Sequence, residues 1–159
     1  SCTMVSRRLH YAFMAATQQV PVAADLFTWP SDAPRLLGGR CRACGVMTFP
    51  RQADCPKCFG DQIEEAQFAR RGLLWTFTTQ LFIPKSPPYA RQESEESFIP
   101  YAGGYVEFAG QARVEGRIDT DDLSSLHIGM EMEVVVVPFM TDDQGTEIMT
   151  YMFRPVKGA

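Results

Sequence analysis

Four cysteines constrain this chain more than any other feature. Cys41, Cys44, Cys55 and Cys58 form two C-x-x-C pairs within 18 residues, with ten residues between the pairs. Each pair makes a tight knuckle that aims two sulfurs at one point. Gly45 after the first and Pro56 inside the second suit that backbone. Paired knuckles in a reducing compartment read as metal ligands rather than disulfides. Four soft thiolates in a tetrahedron select zinc, or iron in a rubredoxin-type centre. Zinc is the expected metal, because no partner motif for electron transfer is visible. A structural zinc site is closed to water and substrate, so the cysteines are expected to brace the chain, not to catalyse. Such a metal is worth about 10–16 kcal/mol in small peptide hosts, enough to order a segment with little core of its own. The fifth cysteine, Cys2, reads as a free thiol with no role.

The sequence divides into three regions around this cluster: an N-terminal helical and extended docking arm over 1–36, the ribbon over 37–65, and a β domain over 66–159. In the first, Ser6 is placed to cap a helix from Arg7 to Gln19, with Leu9, Phe13, Ala16 and Val20 at helical spacing and Pro21 ending the run. Phe27 and Trp29 follow beside Pro30. They read either as a docking arm or as a cap on the protein's own core. The third region reads as strands: Leu73–Ile83, Tyr101–Phe108, Ala112–Ile118, Met132–Phe139 and Glu147–Phe153, with Asp142-Asp-Gln-Gly145 as a hairpin turn. Five or six strands in so short a span predict a small closed barrel, and the fold class is mainly β. Val134–Val137 is apolar on both faces, as a central barrel strand would be.

Charge narrows the function. The 159 residues carry a net −4, unevenly spread: 35–71 sums to +3 and 72–159 to −7. A chain this acidic is a poor general nucleic-acid binder. The basic residues near the ribbon, Arg40, Arg42, Arg51, Lys57, Arg70 and Arg71, read as a solvated face, or as a site for the phosphates of a nucleotide-like ligand or for acidic patches on a partner. The two histidines, His10 and His127, cannot be placed with a nucleophile or at zinc-ligand spacing. There is no G-x-S-x-G, P-loop, G-x-G-x-x-G or H-E-x-x-H. Asp119, Asp121 and Asp122 read as a solvated turn. Pro84–Pro100 is a long acidic loop expected to serve as a lid or partner contact. The apolar stretch Leu9–Ala16 is too short for a membrane helix and lacks a following cleavage site, so the expected location is the cytoplasm.

Cys41, Cys44, Gly45, Phe49-Pro-Arg51, Cys55, Pro56 and Cys58, continued by Gly72-Leu-Leu-Trp-Thr-Phe-Thr-Thr79 and Pro100-Tyr101, resemble a family of acyl-CoA-associated proteins. Glu107, Gly110, Arg113 and Leu126-His-Ile-Gly-Met130 also fit, so the resemblance covers about residues 23 to 156. It implies a rubredoxin-like zinc ribbon followed by an OB-fold. It also implies a non-catalytic accessory subunit of a thiolase-superfamily enzyme, such as a thiolase or a steroid side-chain aldolase, with no independent activity. On that reading the cofactor is structural zinc, and CoA or acyl-CoA sits at the partner interface. The basic residues named above would meet CoA phosphates or the partner. Phe27, Trp29, Phe49, Trp75 and Tyr101 would line an acyl or partner wall, or pack in the core. The alternative is a single-strand nucleic-acid binder, since ribbons and OB-folds both serve there.

Overall fold

A computed structural model of the chain describes residues 16–85 and 94–158. Its architecture is β throughout. Strand β1 is Gln19–Pro21, β2 Leu37–Cys41, β3 Met47–Thr48, β4 Ile63–Gln67, β5 Arg71–Gln80, β6 Tyr101–Glu107, β7 Arg113–Ile118, β8 Glu131–Thr141 and β9 Glu147–Pro155, with one 3-10 turn at Leu123–Ser125.

The expected helix over 7–19 falls largely outside the described residues. Its described end departs from the expectation: Gln19 opens a strand instead. β1 pairs in parallel with β9, Gln19 Nε2 donates to Glu147 Oε2 at 2.7 Å, and the Val22 N–H donates to the Met149 carbonyl at 2.7 Å. Val20 is β-branched and Pro21 lacks a donor, a combination that suits the edge of a sheet better than the end of a helix.

β5 to β9 close a barrel. β5 pairs antiparallel with β6 and β6 with β7, β7 meets β9 in parallel at Ile118 and Phe153, β9 pairs with β8, and β8 returns to β5. The expected turn is present: the Asp142 carboxylate accepts from the Gln144 and Thr146 N–H groups between β8 and β9. Period-2 patterning explains the inward faces. In β6, Ala102, Gly104 and Val106 are buried, while Tyr105 between them is exposed. In β5, Leu74 points in between outward Leu73 and Trp75.

The ribbon forms a second, three-stranded sheet in the order β3-β2-β4. Gly38 in β2 permits its tightest contact, because a Cβ there would collide with the Thr48 carbonyl and lie 2.6 Å from the Phe68 ring. One hydrophobic core runs through both sheets. It joins Phe27, Leu36, Met47 and Phe68 to Leu74, Val106, Phe108, Met132, Val134 and Phe153. Each large side chain buried there contributes about 1.5–3 kcal/mol. The ribbon is therefore packed onto the barrel by shared apolar contacts. No helix among the described residues is long and apolar enough to cross a membrane.

Candidate metal centre

Both knuckles close on the same backbone pattern. In the first, the Gly45 N–H donates to the Cys41 carbonyl at 2.8 Å and the Cys41 N–H to the Val46 carbonyl at 2.9 Å. In the second, the Phe59 N–H donates to the Cys55 carbonyl at 2.9 Å and the Cys55 N–H to the Gly60 carbonyl at 2.8 Å. The turn residue has φ 77° at Gly45 and φ 60° at Phe59. β2 delivers Cys41 into the first turn, and β4, paired with β2 from Leu37 to Cys41, follows the second.

The four sulfurs converge. Cys41 Sγ lies 3.5 Å from Cys58 Sγ, and Cys44 Sγ 3.5 Å from Cys55 Sγ, so each close pair takes one sulfur from each knuckle. All four lie within 4.8 Å of one another. Zinc–sulfur bonds of about 2.3 Å give tetrahedral edges near ~3.8 Å, well beyond a disulfide, so this donor set fits a tetrahedral thiophilic cation. Cys41 and Cys55 are buried, Cys44 is half-buried and Cys58 is exposed.

The electrostatics of the cluster favour a bound cation. The Cys58 N–H pulls the Cys55 thiol down to about 6, helped by the Lys57 N–H at 3.4 Å and the neighbouring sulfurs, against a desolvation that raises it. At Cys58 the Gly60 N–H favours the thiolate, but Cys41, Cys55 and Cys44 together outweigh it and push the thiol up to about 12. One thiolate thus suppresses the next, and four coexist only around a multivalent charge. The chemistry available is structural: four protein ligands leave no open position.

The other sequence-derived residues scatter around the ribbon and barrel. Arg42 pairs with Glu64 at 3.0 Å, Arg70 with Glu133 at 3.8 Å and Arg71 with Glu131 at 3.3 Å. Arg51 Nη2 donates to the Ile63 carbonyl at 3.0 Å, and Arg40 Nη2 lies 3.7 Å from Met47 Sδ. Lys57 is exposed beside the metal ligands. Phe27 is buried in the core at 4% exposure, with Trp29 and Phe49 packed against that core. Tyr101 is half-buried with the Arg117 guanidinium 3.6 Å over its ring, and Trp75 lies under Arg113 at 3.9 Å. The His127 ring faces the Ser125 carbonyl at 3.2 Å and is not part of the convergent ligand group.

Family comparison agrees with this arrangement. Residues 31–64 match the ChsH2 rubredoxin-like zinc ribbon domain and residues 65–137 the ChsH2 C-terminal OB-fold domain. A DUF35 domain-containing scaffold protein of Methanocaldococcus jannaschii is 30% identical over 77% of this chain and 82% of its own length. The chain belongs to the ChsH2/DUF35 family. A second DUF35 domain-containing scaffold protein, from Pyrococcus furiosus, is 31% identical over 77% of this chain and 84% of its own. The benzoylsuccinyl-CoA thiolase subunit BbsA of Thauera aromatica is 29% identical over 83% of this chain and 85% of its own. A chain of the solved Ltp2-ChsH2(DUF35) aldolase shares the fold, with a TM-score of 0.56, 21% identity and coverage of 76% of this chain and 84% of that one. The zinc ribbon and OB-fold expected from the sequence are thus the fold of this ChsH2-type chain.

One feature of the ribbon escaped the sequence reading. Phe59 occupies the left-handed position that the first knuckle gives to glycine, at a cost of about 1–2 kcal/mol for an L-residue. The available signal was the contrast between Cys44-Gly45 and Cys58-Phe59 after otherwise equivalent pairs.

Proposed function

We propose that this chain is the non-catalytic, zinc-braced subunit of a heteromeric thiolase-superfamily complex. Its partner carries out thiolytic or aldol-type cleavage or formation of a carbon–carbon bond in an acyl-CoA. The observation that carries the reading is the match to the BbsA thiolase subunit, which spans 83% of this chain and 85% of that relative. The match takes in both the ribbon and the barrel. The chemistry of the residues supports the same division of labour. The four cysteines converge on one metal site, and His127, the one described histidine, faces a backbone carbonyl rather than a hydroxyl or thiol.

In this reading the ribbon and barrel stabilise the catalytic partner and help shape its acyl-CoA site. Arg40, Arg51 and Lys57 are the basic side chains best suited to CoA phosphates, since Arg42, Arg70 and Arg71 already face carboxylates of their own chain. Trp75 and Tyr101 offer aromatic surface at the barrel wall. Leu81, Phe82 and Ile99, at 54%, 77% and 78% exposure, add apolar surface beside the β5–β6 connection.

The test is co-expression with thiolase-superfamily proteins of the same organism, followed by affinity purification through a tag on this chain. A stable heteromer is expected, and this chain alone should show no turnover of acyl-CoA. Purification as an inert monomer that captures no thiolase-like protein would overturn the reading.

A further inference from the structure

The two C-x-x-C knuckles are built alike but covered unequally. The same backbone bonds close both, so their positions correspond: Cys41 to Cys55, Cys44 to Cys58, and Val46 to Gly60, whose carbonyls accept from the Cys41 and Cys55 N–H groups at 2.9 and 2.8 Å. The first cysteine of each pair is buried, Cys41 and Cys55 both at 1% exposure. The second cysteines differ: Cys44 is half-buried, whereas Cys58 is exposed. The chain around Cys58 does not wall it off, since Pro56, Lys57 and Phe59 are exposed as well.

Gly60 keeps one approach to that sulfur open. A Cβ at position 60 would lie 3.5 Å from Cys58 Sγ, an ordinary van der Waals contact, and would meet nothing else within 4 Å beyond its chain neighbours. A side chain there would rest against the sulfur without displacing other atoms. The backbone does not require glycine either, because Gly60 is not among the positive-φ residues. The first knuckle carries Val46 at the equivalent place. Zinc ligation keeps all four sulfurs as thiolates, so access is what separates them toward an electrophile.

We propose that Cys58 is an oxidation site through which the ribbon gives up its metal when it meets a peroxide. The Cys58 thiolate attacks one peroxide oxygen; an S–O bond forms, the O–O bond breaks, and the other oxygen leaves as hydroxide. The resulting sulfenic acid is the electrophile for a second thiolate. Cys41 is placed for that step, with its Sγ 3.5 Å from Cys58 Sγ. Its attack forms the S–S bond and expels the sulfenic oxygen as hydroxide, and solvent protons convert both hydroxides to water. Two electrons have then passed from two sulfurs to one peroxide. Cys44 and Cys55, the other close pair at 3.5 Å, remain as thiolates, too few to hold a tetrahedral cation tightly. The disulfide ties the end of β2 to the second knuckle, so a dithiol and zinc can rebuild the site.

The experiment uses the zinc-loaded full chain carrying Cys2→Ser, so that the cluster holds its only thiols. It is treated with hydrogen peroxide at neutral pH. Zinc release is followed with a colorimetric chelator, and products are mapped by mass spectrometry with and without dimedone, which traps sulfenic acids. The expected result is zinc release, a dimedone adduct on Cys58 and, without dimedone, a Cys41–Cys58 disulfide. Dithiothreitol and zinc should restore the metal content. Gly60→Ala and Gly60→Val should keep full zinc and the same unfolding midpoint, and should lose zinc to peroxide about threefold or more slowly, because each places a side chain against the sulfur. A first adduct on Cys41, Cys44 or Cys55, or a disulfide within one knuckle, would overturn the proposal. So would zinc retained in peroxide that fully oxidises glutathione, or Gly60 variants that hold zinc and lose it as fast as the parent. If those variants bind too little zinc to compare, the adduct and disulfide maps of the parent chain decide.

Discussion

Tyr151 sits where barrel and ribbon meet. Its hydroxyl donates to the Glu115 carbonyl at 2.7 Å, and its ring packs edge-on against Phe49 from the ribbon at 5.4 Å and Phe153 from the barrel at 5.8 Å. Burial, with the Glu115 charge added, pushes its phenol up to about 12. The folded chain therefore holds that proton after an unfolded chain, with a phenol near ~10, has released it. The stabilising contribution is complete below about pH 10 and is lost as pH rises through about 12. Thermal unfolding followed across that window should show a steep fall in wild type and a flatter one in Tyr151→Phe. At neutral pH that variant should be about 1 kcal/mol less stable for the lost hydrogen bond. At the metal, Cys55→Ser removes one of the four converging sulfurs. Its product should purify with less than stoichiometric zinc and with a ribbon open to protease, as metal analysis and limited proteolysis would show; a full complement of zinc would contradict the four-thiolate assignment.

Among the elements, β2 carries the hardest steric demand. Gly38→Ala should force Thr48 and Phe68 apart and destabilise the chain by about 1–3 kcal/mol, read as a lower unfolding midpoint with zinc still bound. This strand also shows where sequence legibility ended. Leu37-Gly-Gly-Arg-Cys41 has neither β-branched residues nor alternation, so its strand character comes from pairing with β3 and β4, not from its own preferences. The long barrel strands were legible because their patterning is strong: each expected strand from Leu73 onward has a counterpart, displaced by a few residues at its ends. The knuckles were legible because metal ligands are fixed in sequence as well as in space. β1 was not. Leu9, Phe13, Ala16 and Val20 have helical spacing, but Val20 and Pro21 are drawn into the edge of β9 by a partner more than a hundred residues away. The contrast between Gly45 and Phe59 was visible in the letters, but its meaning depends on backbone angles that the letters do not carry.

At the scale of the whole molecule, one apolar core spans ribbon and barrel, so the metal braces more than its own loop. That arrangement gives one packed body with a metal-ligand cluster of four cysteines and with exposed aromatic and apolar side chains at the barrel wall and ribbon tip. Family membership places it with ChsH2 and DUF35 proteins, and the proposed division of labour leaves bond making and breaking to another chain. The most direct test is the rate of carbon–carbon bond cleavage in an acyl-CoA, measured for the co-expressed complex, for the thiolase-like partner alone and for this chain alone. The account predicts turnover by the complex, little or none by the isolated partner, and none by this chain. Turnover by this chain alone, or an isolated partner as active and as stable as the complex, would contradict it.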